Sequence, residues 1–172
     1  MCGLLCGCGN LPEPYAPPAQ RPFFAAPPES ARIINMADAD AESHFIQDID
    51  QALQGNAWRW TGKRPSIWVH INRVHINATH QLVYSIDFVI AGATFQQTGP
   101  VTLSFLVNDH LLDRVRYASP GAQRLERPVP ADWLQADQDA TVTAEIDKVW
   151  TPPQAGGAPL GIILVALGLE EK

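Results

Sequence analysis

Short stretches in which apolar residues occupy every second position recur along this 172-residue chain. The clearest of them cover residues 67–71, 82–90, 101–107 and 142–146. Successive side chains of a β-strand point to opposite faces, so each stretch predicts a strand with one buried face. Turn-forming runs such as Ser119-Pro120-Gly121 separate the stretches. The spacing therefore predicts an all-β fold, a jelly-roll-type antiparallel β-sandwich of about eight strands with a short helix.

Other local patterns predict the connections between these strands. Phe45, Ile49 and Leu53 have helical spacing and predict the short helix. The apolar phase slips at Asn72-Arg73, which predicts a β-bulge or bend there. The remaining expectations are a bend over residues 92–99, one helical turn over residues 131–134, and a closing strand over residues 160–169.

The first 30 residues differ in composition from the rest. Seven prolines lie between residues 11 and 28, which favours an extended segment. We therefore predict a Cys- and Pro-rich, disordered or extended tail over residues 1–30 and a β-sandwich domain over residues 31–172. Leu5-Cys6-Gly7-Cys8 resembles the end of a bacterial lipoprotein signal, and residues 9–172 contain no cysteine. The resemblance implies that Cys8 is lipidated and that the domain is extracytoplasmic, anchored in a bacterial envelope; the alternative is a Cys- and Gly-rich terminus without that role.

Charge and motif content argue against several functions. The formal net charge is −6 and only 17% of the residues are charged, so no basic surface for nucleic acid is expected. No apolar run reaches the ~18–20 residues of a membrane-spanning helix, so a lipid anchor is the expected contact with a membrane. The chain has no Gly-x-Ser-x-Gly elbow, phosphate-binding glycine loop or His-Glu-x-x-His motif. We therefore expect a protein that is not an enzyme.

Several segments together resemble one family. Phe105-Leu106-Val107-Asn108 leads into a hairpin at Asp109-His110, and Val129-Pro130 begins a turn that ends at Leu134. A strand over residues 140–146 follows, then the closing Leu160-Gly161-Ile162, while Trp58-Arg59-Trp60-Thr61 fits an opening strand. This arrangement resembles the galactose-binding-like jelly roll of carbohydrate-binding modules. The resemblance implies recognition of a glycan without catalysis.

Candidate ligand-binding residues fall in three places. They are Arg59 in the opening strand; His70, Asn72 and His75 in the next hairpin; and Asn108, His110, Arg114 and Tyr117 in the hairpin after residue 107. Imidazole, amide and guanidinium groups can bond sugar hydroxyls, and an aromatic face can cover the apolar side of a sugar ring. The alternatives are a solvated strand face for the histidine group and an exposed charged hairpin for the last group.

We expect no cofactor, although acidic residues between Asp38 and Asp50 leave a structural calcium ion as an alternative. The predicted function is an envelope-displayed, non-catalytic module that binds a glycan or a protein partner. One alternative is a structural subunit that self-assembles through its sheet edges and N-terminal tail. The other is a small hydrolase that uses carboxylates such as Glu126, Asp132 and Glu145.

Overall fold

The computed structural model describes residues 33–72, 81–153 and 157–172. Nearly all of these residues belong to strands or to the short connections between them. The strands are β1 (Ile33–Asn35), β2 (Phe45–Ile49), β3 (Arg59–Ile71), β4 (Leu82–Ile90), β5 (Val101–Val107), β6 (His110–Tyr117), β7 (Gly121–Pro128), β8 (Gln138–Ile146) and β9 (Ile163–Glu171). One helix, α1 (Gly92–Thr98), and two 3-10 turns, Ala41–His44 and Ala131–Trp133, lie among them.

The strands form an antiparallel sheet that is nearly closed and barrel-like. The strand order is β6-β5-β8-β3-β9-β4-β7, with β1 paired to β9 and β2 paired to β3. The two ends of this order, β6 and β7, are not paired through their backbones in the described part of the chain. Instead, the Nε of Arg127 on β7 lies 2.7 Å from a carboxylate oxygen of Asp113 on β6. This ion pair spans the open side of the barrel.

Strand β3 joins the two halves of the sheet. Its first residues, Arg59 and Trp60, pair with β9, whereas its second half, from Ser66 to Ile71, pairs with β8. The approach to β9 is close, because a Cβ at Gly161 would lie 2.4 Å from the carbonyl oxygen of Gly62. Glycine is required there for the backbones to meet. The closing Leu160-Gly161-Ile162 segment therefore has a steric reason for its glycine.

Aromatic rings fill the middle of the core. Phe105 on β5 lies against Tyr84 and Phe88 on β4, with ring centroids 5.8 and 6.5 Å apart, and Phe88 also meets Tyr117 edge-on at 5.4 Å. The hydroxyl of Tyr84 donates a 3.0 Å hydrogen bond to the carbonyl oxygen of Thr143. These contacts join strands from opposite sides of the barrel, so the core holds the two halves together.

The predicted all-β antiparallel fold is confirmed, and most of the predicted strands are present. The predicted β-sandwich is corrected in one respect, because the sheet is nearly closed and barrel-like rather than a plain sandwich. The strand count is nine in the described residues, against the eight expected. The single helical turn expected at residues 131–134 is confirmed by the 3-10 turn Ala131–Trp133.

Two local predictions are wrong. The helix expected from Phe45, Ile49 and Leu53 is replaced by strand β2, because Phe45 and Ile49 pair with β3. Residues 92–98, expected to form a bend, form helix α1, which ends where Gly99 adopts a φ of 66°. Both segments are short, and in β2 the pairing with β3 outweighs the helical spacing of the apolar residues. The bulge expected at Asn72-Arg73, the tail over residues 1–30 and Cys8 involve residues outside those described.

Arg59 is buried rather than displayed. Its side chain is 4% exposed, and its Nε donates to the carbonyl oxygen of Met36 at 3.1 Å. Its Nη1 lies 3.1 Å from Glu42 and also donates to the carbonyl oxygen of Gln51, while the ring of Phe45 lies 5.2 Å away. Arg59 therefore ties the segment before β3 to the sheet. Its guanidinium group is already hydrogen-bonded within the protein, so Arg59 does not belong to the candidate ligand site.

The Arg59→Ala variant is expected to lower the free energy of unfolding by about 3 kcal/mol, because several charge-assisted hydrogen bonds are lost and buried carbonyl groups lose their donor. Urea titration followed by tryptophan fluorescence measures this change. Lys63→Ala, at an exposed position of the same strand, is the matched control. Equal stability of the two variants would contradict the structural role of Arg59.

Burial raises the pKa of Tyr84 well above its ordinary value, with a further contribution from Tyr117. Because the folded-state pKa is raised, this tyrosine contributes stability that is complete below its unfolded pKa of about 10 and is lost as pH rises further. We expect the free energy of unfolding to fall above pH ~10. The Tyr84→Phe variant should lose about 1 kcal/mol at pH 7, from its hydrogen bond, and show a weaker fall at high pH. An unchanged pH dependence would exclude Tyr84 as its source.

Candidate functional site

The structure brings two of the predicted groups of site residues to one end of the sheet. Strand β8 pairs with β3 on one side, where His70 lies opposite Asp139, and with β5 on the other, where Val107 lies opposite Val142. The end of β3 and the β5–β6 hairpin are therefore neighbours of the same stretch of β8. His70 and Asn72 come from the first, and Asn108 and His110 from the second. We call this region the hairpin-end site.

The β5–β6 hairpin turns on two residues with left-handed backbones. Asn108 and Asp109 have φ values of 47° and 64°. Two such residues in succession make a tight hairpin turn, and Asn and Asp tolerate this conformation better than most residues. The aspartate at position 109, where glycine is more usual in this turn, is therefore accommodated.

The side chain of Asn108 fixes the hairpin to its surroundings. Its Oδ1 accepts a 2.8 Å hydrogen bond from the backbone N–H of Thr141, and its Nδ2 donates to the carbonyl oxygen of Trp133 at 2.9 Å. One amide thus connects the hairpin, the start of β8 and the turn Ala131–Trp133. Asn108 serves to position the site, since both ends of its amide are occupied.

An aromatic pair flanks the hairpin. The ring of His110 is stacked on that of Trp133, with centroids 5.0 Å apart and planes 25° from parallel. His110 is exposed, and Trp133 is partly buried against the core. Stacking holds the two rings at a defined angle, so they present an ordered aromatic edge at this end of the sheet.

A polar cavity of about 240 Å³ lies at the same end of the sheet. It is lined by Ile71, Asn108, Gln135, Gln138, Asp139 and Ala140. The side-chain amides of Gln135 and Gln138 make no hydrogen bond to another described residue, so they can donate to and accept from a ligand. The Nδ1 of His70 lies 2.9 Å from Oδ1 of Asp139, which orients the imidazole ring. The site therefore combines amide, carboxylate and imidazole groups with an aromatic edge.

The other predicted site residues lie elsewhere. Arg114 projects from the outer face of β6 beside Ser104, and Tyr117 points to the inner side of the same strand, against Phe88. Burial raises the pKa of the Tyr117 hydroxyl; nearby Arg127 opposes the shift and Asp113 adds to it. Alternation along one strand separates these two residues. His75 and the lipidation candidate Cys8 lie outside the described residues.

Four residues of the hairpin-end site were not predicted from the sequence: Trp133, Gln135, Gln138 and Asp139. Trp133 belongs to the Val129-to-Leu134 segment that carried the family resemblance, so its position was a usable signal. Asp139 had no such signal, since its contact with His70 depends on the register between β3 and β8.

The acidic residues considered as calcium ligands bond protein groups instead. Asp38 accepts from the backbone N–H of Asn35, Asp48 from that of Arg64, and Asp50 from that of Ala52. Within the described residues, no group of three or more His, Cys, Asp or Glu side chains is placed to hold a metal ion. Across the same residues, no helix is long and apolar enough to cross a membrane.

No protein-family model matches the chain, and no curated protein matches it. Among solved structures, an acetyl xylan esterase (Est2A) from the rumen bacterium Butyrivibrio proteoclasticus matches with a TM-score of 0.42 and 7% sequence identity. The match covers 84% of this chain and 34% of that one. This chain thus spans about a third of the esterase's length. A fold does not fix a function.

The role of Asn108 can be tested with a pair of substitutions. Asn108→Asp keeps the acceptor for Thr141 and the tolerance for a left-handed backbone but loses the donor to Trp133; Asn108→Ala loses all three. We expect losses in the free energy of unfolding of about 1 kcal/mol for the first and about 3 kcal/mol for the second. Amide hydrogen exchange at residue 141 should rise only in Asn108→Ala. Faster exchange in both variants would contradict the assigned bond.

Proposed function

We propose that this protein is a non-catalytic binding module of jelly-roll type that takes a glycan at the hairpin-end site. The strand order supports the jelly-roll assignment. One side of the barrel has the order β1-β9-β4-β7 and the other has β3-β8-β5-β6. From β3 to β9, successive strands change sides at every step except between β5 and β6, which form a hairpin, as expected for a jelly roll of two Greek keys.

The observation that carries the glycan proposal is a cavity lined by unpartnered amides, with a stacked aromatic pair on the segments that adjoin its lining. His110 lies two residues after Asn108, and Trp133 lies two residues before Gln135. A sugar ring has apolar C–H faces and several hydroxyls that both donate and accept. Trp133 and His110 supply an aromatic surface for the C–H faces of the sugar. Gln135, Gln138 and Asp139 supply hydrogen-bond partners for its hydroxyls. The cavity of about 240 Å³ is smaller than the ~300–1,000 Å³ typical of larger ligands, which favours a single, terminal sugar residue.

The proposal that the site does not catalyse rests on the surroundings of His70. Its imidazole is oriented by Asp139, as a general base would be. However, His70 makes no hydrogen bond to a serine, threonine or cysteine side chain in the described part of the chain, so among these residues the dyad has no side-chain nucleophile to activate. The small-hydrolase alternative is therefore less well supported than binding.

We also propose that the domain is displayed outside the cytoplasm through a lipidated Cys8. This part of the proposal rests on the sequence: the likeness of residues 5–8 to a lipoprotein signal, the proline-rich segment after it and the absence of cysteine from residues 9–172. A glycan-binding domain at the end of such a tether would reach saccharides at the cell surface.

A glycan array followed by calorimetry on the best ligand tests the binding proposal. The Trp133→Ala and Gln138→Ala variants should each weaken binding about tenfold, equivalent to ~1.4 kcal/mol, since each removes one of the two kinds of contact. Gln96→Ala, an exposed amide on α1, is the matched control and should bind like the wild type. An array without a specific ligand, or equal affinities across all the variants, would overturn the proposal.

Self-assembly is the second candidate, because Ile46 is 50% exposed on β2, which among the described strands pairs only with β3. An exposed apolar residue on an edge strand favours pairing with another chain. Light scattering across a concentration series, with Ile46→Lys as the variant, distinguishes the two functions. A protein that remains monomeric at high concentration and still binds a glycan would exclude self-assembly as the function.

A further inference from the structure

A second polar depression lies on the outer face of β6, β5 and β8. It has a volume of about 430 Å³ and is lined by Thr102, Ser104, Arg114, Glu145 and Asp147. We call it the trough. Glu145 is six residues along β8 from Asp139, a distance of about 20 Å in an extended strand, so the trough is separate from the hairpin-end site.

Strand alternation explains why these side chains share one face. Leu103 and Phe105 of β5 and Ala144 and Ile146 of β8 are fully buried and point into the barrel. Their neighbours Thr102, Ser104 and Glu145 therefore point outward. In the register of the sheet, Ser104 lies between Arg114 on β6 and Glu145 on β8. The trough thus has a floor of two hydroxyls, an arginine wall and an acidic wall.

The arginine wall is held in place but retains free donors. The Nε of Arg114 donates to Oγ of Ser104 at 3.1 Å, which draws the guanidinium over the floor. Its two terminal nitrogens make no hydrogen bond or ion pair with any other described residue. Arg116, which is exposed and lies opposite Thr102, extends the same wall. A guanidinium with both terminal nitrogens free is suited to an oxyanion.

The acidic wall also retains free acceptors. Oδ1 of Asp147 accepts the backbone N–H of Thr102 at 2.8 Å, which leaves Oδ2 available. The cation nearest to Glu145 is Arg64, whose Nε is 3.8 Å away and whose stronger partner is Asp109 at 2.6 Å. Among the described residues no ion pair crosses the trough from Arg114 to Glu145 or Asp147. The charges of the two walls are therefore not neutralised by direct contact with each other.

We infer that the trough binds a small zwitterionic ligand, in which an oxyanion and an ammonium group are joined by a short linker. The backbones of β6 and β8 are two strand spacings apart, about 10 Å, and the side chains of both walls extend over that gap. A ligand of this kind places its anion at Arg114 and its cation at Glu145 and Asp147 simultaneously. A lone anion is repelled by one wall and a lone cation by the other. This inference is independent of the glycan proposal, since the two sites share no residue.

The test uses the full-length protein and three probes: O-phosphoethanolamine, inorganic phosphate and ethylammonium. Binding is followed at low ionic strength by amide chemical shifts in two-dimensional NMR spectra, because salt screens exposed charges. O-phosphoethanolamine should shift the amides of residues 102–104 and 145–147 and bind about fivefold more tightly than either of the other probes. Fivefold is what one exposed ion pair contributes at the upper end.

Charge-neutralising variants assign each wall. The double variant Glu145→Gln, Asp147→Asn should lower the affinity for O-phosphoethanolamine to the affinity for phosphate. The Asp147→Asn substitution keeps an oxygen that accepts the backbone N–H of Thr102. The Arg114→Gln variant should lower the affinity for O-phosphoethanolamine to the affinity for ethylammonium. Arg124→Gln, an exposed arginine on β7 of the opposite side, is the control and should leave all three affinities unchanged.

Two results would overturn the inference. One is equal affinity for phosphate and O-phosphoethanolamine, which would make the trough a simple anion site. The other is the absence of shifts at residues 102–104 and 145–147 with every probe. If Trp133→Ala loses glycan binding while the affinity of the trough for O-phosphoethanolamine is unchanged, the two sites are independent of each other.

Discussion

Strand β3 pairs with both halves of the sheet, and much of the structure depends on this double pairing. Its 13 residues allow Arg59 and Trp60 to pair with β9 while Ser66 to Ile71 pair with β8. The changeover depends on close contact between backbones, which Gly161 permits. Buried Arg59 then anchors the segment that precedes β3 through carbonyl oxygens and Glu42. Without this strand, the two halves of the barrel would be joined mainly by side-chain packing in the core.

The position of β8 between β3 and β5 decides where function can arise. Because β8 pairs with both neighbours, residues 38 positions apart, such as His70 and Asn108, reach the same end of the sheet. The same strand supplies Glu145 to the trough at its other end. One strand therefore contributes to two polar sites with different chemistry: amides beside an aromatic pair at one end, and opposed charges above a hydroxyl floor at the other.

The predicted and observed structures agree where burial imposes a period on the sequence. The stretch at residues 101–107 alternates regularly, and in β5 every odd-numbered residue is buried. Agreement fails where segments are short. The apolar residues of β2 have helical spacing, but this segment pairs with β3, and α1 forms in a seven-residue segment that lies between Ala91 and Gly99. Of the predicted site residues, Arg59 illustrates the limit, because a polar residue in a strand gives no sign of whether it meets solvent or a buried carbonyl group.

The sequence alone is enough to predict antiparallel strands in a domain that lacks cysteine and is interrupted by prolines. This is because alternation and turn residues are local properties. Only the tertiary structure decided that the sheet nearly closes, that Arg59 is internal, and that Asp139 meets His70. It also decided that Arg114 and Tyr117 serve opposite faces of one strand. These outcomes depend on register and strand order, which are set by contacts between residues far apart in the chain, and no local pattern encodes them.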